Sequence, residues 1–99
     1  LFRSVLLDHE DSSVLKLLRS VRAAVATGGR VLIVEPFAGV KGAEVVGDVY
    51  FGFYLRAMGR GRARTIDELR TLLTQAGFGS VRVVTTRYPV YAGMLVAEP

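Results

Sequence analysis

Ninety-nine residues allow one small domain, and an apolar share of 51% supplies a core for it. The lack of cysteine excludes disulfide staples and thiolate metal sites and fits a reducing, cytoplasmic setting; no run nears the ~20 apolar residues of a membrane span. The net charge of +4 is mostly arginine, crowded at Arg56, Arg60, Arg62 and Arg64. No aromatic-interleaved binding motif accompanies that cluster, so it reads as a solvated loop beside a helix end, with no nucleic acid expected as partner.

The chain opens on an apolar run, Phe2 to Asp8, that reads as a buried strand ending in an acidic turn. A central parallel strand delivers side chains to a ligand site in this way. With nothing before that strand, the expectation is the back half of an α/β domain. After the polar turn Asp8-His9-Glu10-Asp11, either Asp11 or Ser12 can cap a helix. Val14, Leu17, Leu18, Val21 and Val25 give this helix one apolar face, and Gly28-Gly29 is expected to stop it in the left-handed conformation. Arg30 to Glu35 then reads as a second, continuously apolar strand closed by Pro36. Two strands bracketing one helix make a βαβ unit with a parallel pair.

Ala38 to Gly47 is glycine-rich and irregular. Asp48 to Met58 reads as a helix so apolar all round that it needs cover on more than one face. Thr65 and Glu68 form a capping box for a further helix that buries Ile66, Leu69, Leu72, Leu73 and Ala76 and ends at Gly77. Two last strands, about Ser80–Thr86 and Tyr91–Ala97, are joined by only Arg87 to Val90 and must form an antiparallel hairpin. The fold class is therefore α/β, with parallel strands that finish in an antiparallel hairpin.

Four segments in this order, Arg3 to Asp11, Gly28 to Pro36, Arg64 to Leu69 and Gln75 to Phe78, resemble the C-terminal part of the catalytic domain of S-adenosylmethionine-dependent small-molecule O-methyltransferases. Plant caffeate-type enzymes and bacterial carotenoid and polyketide enzymes belong to that group. The segment Tyr50 to Arg62 is most similar to the carotenoid branch, the demethylspheroidene O-methyltransferases. The resemblance implies a Rossmann-like class I sheet and S-adenosylmethionine as cofactor. It also implies that residues 1–99 are the C-terminal portion of the catalytic domain, without the half that carries the main cofactor loop. The acceptor it implies is an apolar hydroxylated small molecule, and the assembly a homo-oligomer.

It further implies site residues. The family's histidine base falls on Leu7 here, while His9, two residues on, aligns with the family's tryptophan. Side chains alternate along a strand, so His9 becomes a candidate base if the turn stays extended. Glu35 matches a glutamate that orients the base or contacts the acceptor, whereas the second such glutamate is replaced by Ala63. Arg3 matches a basic position near the cofactor, and Asp8 borders cofactor and acceptor. Each has a plainer reading, as a strand-start arginine and a helix-capping aspartate, just as His9 can be a surface-turn histidine and Glu35 a carboxylate that caps the strand end. Tyr50, Phe51, Tyr54 and Met58 are candidates to line an apolar acceptor channel, or equally to pack a core. No residue spacing fits a metal site.

The resemblance predicts that these residues alone bind the cofactor weakly and pair through an uncovered sheet edge or helix face. Two other readings stand beside it. One is the same chemistry on a polyketide or a bacteriochlorophyll precursor. The other is a non-catalytic protein or nucleic-acid interaction module that uses the arginine loop.

Overall fold

The computed structural model describes residues 1–42, 49, 51–85, 87 and 92–99, with Phe51 described by its backbone alone. Along the chain run β1 (Phe2–Arg3), α1 (Asp11–Ala24), β2 (Val31–Glu35), α2 (Phe51–Met58), α3 (Ile66–Gln75), β3 (Ser80–Val84) and β4 (Gly93–Glu98). They build one sheet in the order β1-β2-β4-β3. β1 and β2 are parallel, with Arg3 opposite Val34, and β4 runs antiparallel to both β2 and β3. The βαβ unit and the closing hairpin are thus as expected, and β4 is inserted between β2 and β3.

One face of this sheet is covered. Val31 and Ile33 of β2 lie across from Ala97 and Leu95 of β4, and α1 and α3 close over them with Val14, Leu18, Leu69 and Leu73. Ile33, Leu73 and Leu95 have no exposed surface; a leucine buried to this degree contributes about 1.5–3 kcal/mol relative to exposure. The alternation of β2 shows that the other face is only partly covered. Leu32 remains 37% exposed where a continuous apolar run had implied burial on both sides.

The first strand is much shorter than its apolar run. It ends at Arg3, Ser4 turns with a φ of 51°, and Leu6–Asp8 form a single turn of 3₁₀-helix. The amides of Val5 and Leu6 are drawn to a side chain instead of a strand neighbour, as the site geometry shows. Helix α1 begins at Asp11 behind Glu10 and has no side-chain cap; Asp11, a residue expected as the cap, is the first helical residue and binds Arg62 and Arg64 instead. It ends with Val25 in extended conformation. The left-handed Gly28 (φ 78°) comes later, in a turn closed by the Gly29 amide on the Ala26 carbonyl at 2.8 Å.

Helix α3 opens with the expected capping box. The Thr65 hydroxyl accepts from the Glu68 amide at 3.1 Å, and the Glu68 carboxylate accepts from the Thr65 amide at 2.9 Å. Gly77 follows the helix with a φ of 101°. Helix α2 departs from expectation. Leu55 is buried, yet Phe53 is 71% exposed and Tyr54 and Met58 are exposed as well. Among the described residues nothing covers more than one side of it, and none of the helices is long and apolar enough to cross a membrane.

Candidate functional site

Two charged side chains are buried among the described residues, Glu35 and Arg64, each only 4% exposed. Glu35 closes β2 two residues after Ile33 and so shares its face, the covered side of the sheet. Its Oε1 accepts from the amides of Val5 at 3.0 Å and Leu6 at 2.9 Å. Burial pushes its carboxyl above the usual value, and the hydrogen bonds from Leu6, Val5 and Leu7 only partly offset that push.

Arg64 approaches the same turn from the other side. It lies in the extended approach to α3, and its own carbonyl accepts from the Ala38 amide at 2.9 Å. The guanidinium spends three donors within one small region. Nη1 reaches the Leu6 carbonyl at 2.8 Å, Nη2 the His9 carbonyl at 2.7 Å, and Nε the Asp11 Oδ1 at 2.7 Å. A planar fork of fixed donors suits such a cluster of acceptors. Arg62 extends the network, with Nη2 on Asp11 Oδ2 at 3.0 Å and Nη1 on Glu68 Oε2 at 2.9 Å.

Partial burial of Asp11 opposes its ionisation, but the hydrogen bonds from Arg64 and Arg62 prevail and hold its carboxyl below the usual range. Glu68 is also held low, first by the Thr65 amide and then by Arg62. Arg62 is raised in turn, chiefly by its bond to Asp11. The expected solvated arginine loop is therefore corrected: Arg56 and Arg60 are exposed, whereas Arg62 and Arg64 are tied into carboxylates and carbonyls.

Gly61 lets the two segments come this close. With φ at 83°, it presses against the turn so tightly that a Cβ there would collide with the Leu7 carbonyl and come within 2.9 Å of the Asp8 Cα. Beside it the Arg62 amide donates to the Leu7 carbonyl at 2.9 Å. Gly61 and Ala63 also line an open cleft of about 500 Å³ together with Ala38, Gly52, Leu55 and Arg60.

The sequence-derived candidates divide. His9, Asp8 and Glu35 are brought to one turn. Asp8 is half-buried, and its Oδ1 is buried without a hydrogen-bond partner among the described residues. His9 is half-buried and extended (φ −121°, ψ 152°), but the preceding 3₁₀ turn removes the strand alternation that linked it to Leu7. Leu7 is buried. Arg3 is exposed on β1. Tyr54 and Met58 are exposed on α2 and are not among the residues lining the cleft. Tyr50 and the Phe51 side chain lie outside the described residues. Among the described residues no group of three acidic or histidine side chains is placed to hold a metal ion.

Sequence reasoning missed Arg64, Asp11 and Gly61. A signal was present: the cap at Thr65 requires extended backbone before it, so Arg62 and Arg64 fall on one face at period two.

Comparison with known proteins agrees with this architecture. Residues 1–79 match the family model of the O-methyltransferase domain. The demethylspheroidene O-methyltransferase of Rhodobacter capsulatus is 43% identical over 95% of the chain and 24% of its own length. The acetylserotonin O-methyltransferase of Mus musculus is 38% identical over 91% of the chain and 23% of its own length. The chain thus spans about a quarter of the length of the curated relatives it matches. The crystal structure of CalO1, a methyltransferase in calicheamicin biosynthesis in its SAH-bound form, superposes with a TM-score of 0.82 at 26% identity, covering 99% of this chain and 28% of that one. The match across most of the chain, the sheet order and the similarity to the relatives coincide, and the chain belongs to the O-methyltransferase domain family.

Proposed function

We propose that the intact protein transfers a methyl group from S-adenosylmethionine to a hydroxyl of an apolar small molecule, in the first instance a carotenoid. The observation that carries this reading is the 43% identity to a demethylspheroidene O-methyltransferase, sustained over 95% of the chain.

The residues present fit part of that cofactor. Among the described residues the buried Asp8 Oδ1 has no hydrogen-bond partner, which fits an ammonium or hydroxyl donor at that turn, and Arg3 offers an exposed cation to a carboxylate. When bound, S-adenosylmethionine supplies an electrophilic methyl on a sulfonium centre. His9, at the end of the turn that carries Asp8, takes the proton of the acceptor hydroxyl on an imidazole nitrogen. Glu35 acts through the backbone: its carboxylate holds the Val5 and Leu6 amides and so places the segment that leads to His9. Leu7 and Ala63 add no acid or base, so orientation of the reactants carries much of the acceleration, on the order of 7–11 kcal/mol in favourable cases. Tyr50 and Phe51, together with Tyr54 and Met58 of α2, are the candidates to line the acceptor's path.

In the same reading residues 1–99 are the C-terminal portion of the catalytic domain. The protein works in the cytoplasm as a homo-oligomer, and this segment alone binds the cofactor weakly. Micromolar binding of S-adenosylmethionine to the isolated segment by calorimetry would refute that last point. The activity is tested with labelled S-adenosylmethionine and the intact protein, offered hydroxylated carotenoids, polyketides and bacteriochlorophyll precursors in parallel. Transfer to the carotenoid is expected. Transfer to another acceptor alone moves the substrate, a reading favoured by the likeness to CalO1. No transfer to any acceptor, with salt-dependent DNA binding or capture of a protein partner instead, makes the chain an interaction module.

A further inference from the structure

A guanidinium is costly to bury, so a buried one is retained where its donors are matched by acceptors that need it. Arg64 meets that condition entirely on one short stretch, residues 6 to 11. The same stretch is held from its amide side by Glu35 at Val5 and Leu6, and in its middle by the Arg62 amide on the Leu7 carbonyl. The backbone leading to His9 is thus fixed at residues 5, 6, 7 and 9 by groups from two other parts of the chain. Of these, the Arg64 bond is the one made to His9 itself, at 2.7 Å on its carbonyl. The anchor of Arg64 is Asp11, whose second oxygen is held by Arg62, and Arg62 is held by Glu68 of the α3 capping box.

We infer that Arg64 is a positioning residue: by gripping the His9 carbonyl from a base fixed on Asp11, it sets where the imidazole stands. The inference rests on the reading of His9 as proton acceptor. Arg64 touches no reacting atom, and its part is to restrict a histidine that extends beyond the last residue of the 3₁₀ turn. Lysine at this position has the charge but not the fork, and it cannot span the Leu6 carbonyl, the His9 carbonyl and Asp11 at once.

The test uses the intact protein with Arg64→Lys, Asp11→Asn and His9→Ala, singly and with Arg64→Lys combined with His9→Ala. The His9 ring signal, identified in ¹H–¹³C NMR spectra by its loss in His9→Ala, is followed beside kcat, KM and the pH profile of kcat. Arg64→Lys is expected to lower kcat about tenfold to a hundredfold. KM for S-adenosylmethionine stays within about twofold, the pH profile of kcat changes, and the ring signal moves or broadens. Asp11→Asn acts in the same direction with a smaller effect, and it serves as the test if Arg64→Lys does not fold. In the His9→Ala background the lysine substitution lowers kcat no further.

An unchanged ring signal with unchanged kcat overturns the inference. So does an equal fall in kcat with and without His9. If His9→Ala itself leaves kcat intact, the proton-acceptor reading fails. The response of the ring signal to Arg64→Lys then decides the positioning role separately.

Discussion

Glu35 and Arg64 bind opposite ends of the same residue. Leu6 gives its amide to Glu35 Oε1 at 2.9 Å and presents its carbonyl to Arg64 Nη1 at 2.8 Å. A buried acid from the end of β2 and a buried basic side chain from the approach to α3 are therefore joined through one residue of the turn between them, on its two adjoining peptide units. The 3₁₀ turn has no strand partner to order it, and this pair supplies the order.

Substitution of Glu35 separates its charge from its hydrogen bonds. Its carboxyl is raised in the folded state, so its stabilising contribution is complete below the ordinary value of 4.5 and is lost as pH rises through the raised value. Glu35→Gln keeps an acceptor oxygen for Val5 and Leu6 without the ionisation. It is expected to be at least as stable as the wild type at neutral pH, with the difference closing as the medium is acidified. Glu35→Ala leaves those amides unsatisfied, at about 1–3 kcal/mol each. Urea midpoints across the pH range distinguish the two; a Gln variant as unstable as the Ala variant at neutral pH would contradict this account.

Gly61 and Gly59 make a matched comparison. Both have left-handed backbone, with φ of 83° and 81°, but a Cβ at Gly59 meets nothing within 4 Å while one at Gly61 meets the backbone of Leu7 and Asp8. Gly59→Ala is expected to cost about 1 kcal/mol, the backbone penalty alone. Gly61→Ala adds a collision and must displace the turn, costing at least about 3 kcal/mol in total. Equal thermal shifts for the two variants would mean that the segments are not in close contact.

Arg62 and Arg64 look alike in the sequence and should differ in effect. The Arg62 side chain is 47% exposed, and Arg62→Ala is expected to cost no more than about 1 kcal/mol, less in high salt. Arg64→Met strips the buried Leu6 carbonyl and the His9 carbonyl of their donors and is expected to cost about 2–4 kcal/mol, with little salt dependence. Denaturation at low and high salt measures both.

Asp11 and Glu68 set the acid limit of the network. Both are depressed in the folded state, so their contribution is present above their ordinary values of 3.8 and 4.5 and is lost as pH falls through the lowered ones. Asp11→Asn should flatten the acid side of the stability profile. Glu68→Gln should do so less, because the amide can still accept from Thr65. A profile for Asp11→Asn that parallels the wild type would exclude the network as the source of acid sensitivity.

Local rules were enough for some elements and failed at others for a definable reason. The α3 cap and the hairpin follow from short-range chemistry: Thr65 and Glu68 satisfy each other, and a short link leaves two strands no other pairing. Residues 4 to 8 looked like strand because they are apolar, and their coiling is imposed from afar by a carboxylate thirty residues later in the chain. Arg64 was read as solvated because its acceptors, Leu6, His9 and Asp11, are brought to it only by the tertiary fold. The apolar character of α2 was read correctly from composition, but among the described residues nothing covers more than one side of it.

The position of β4 bears on how the chain reaches this structure. β4, the latest of the described strands in the chain, lies between β2 and β3, and its register joins Val31 to Ala97 and Val81 to Ala97 at once. As the polypeptide leaves the ribosome, β2 and β3 have no common neighbour until residues 93–98 emerge. Until then α1 and α3 have no joined β2-β4-β3 surface to cover. Non-local closure of this kind slows folding and leaves apolar strands open to chaperones or to one another while they wait. A chain cut short before Gly93 would lack the strand that joins β2 to β3, and it is expected to be protease-sensitive.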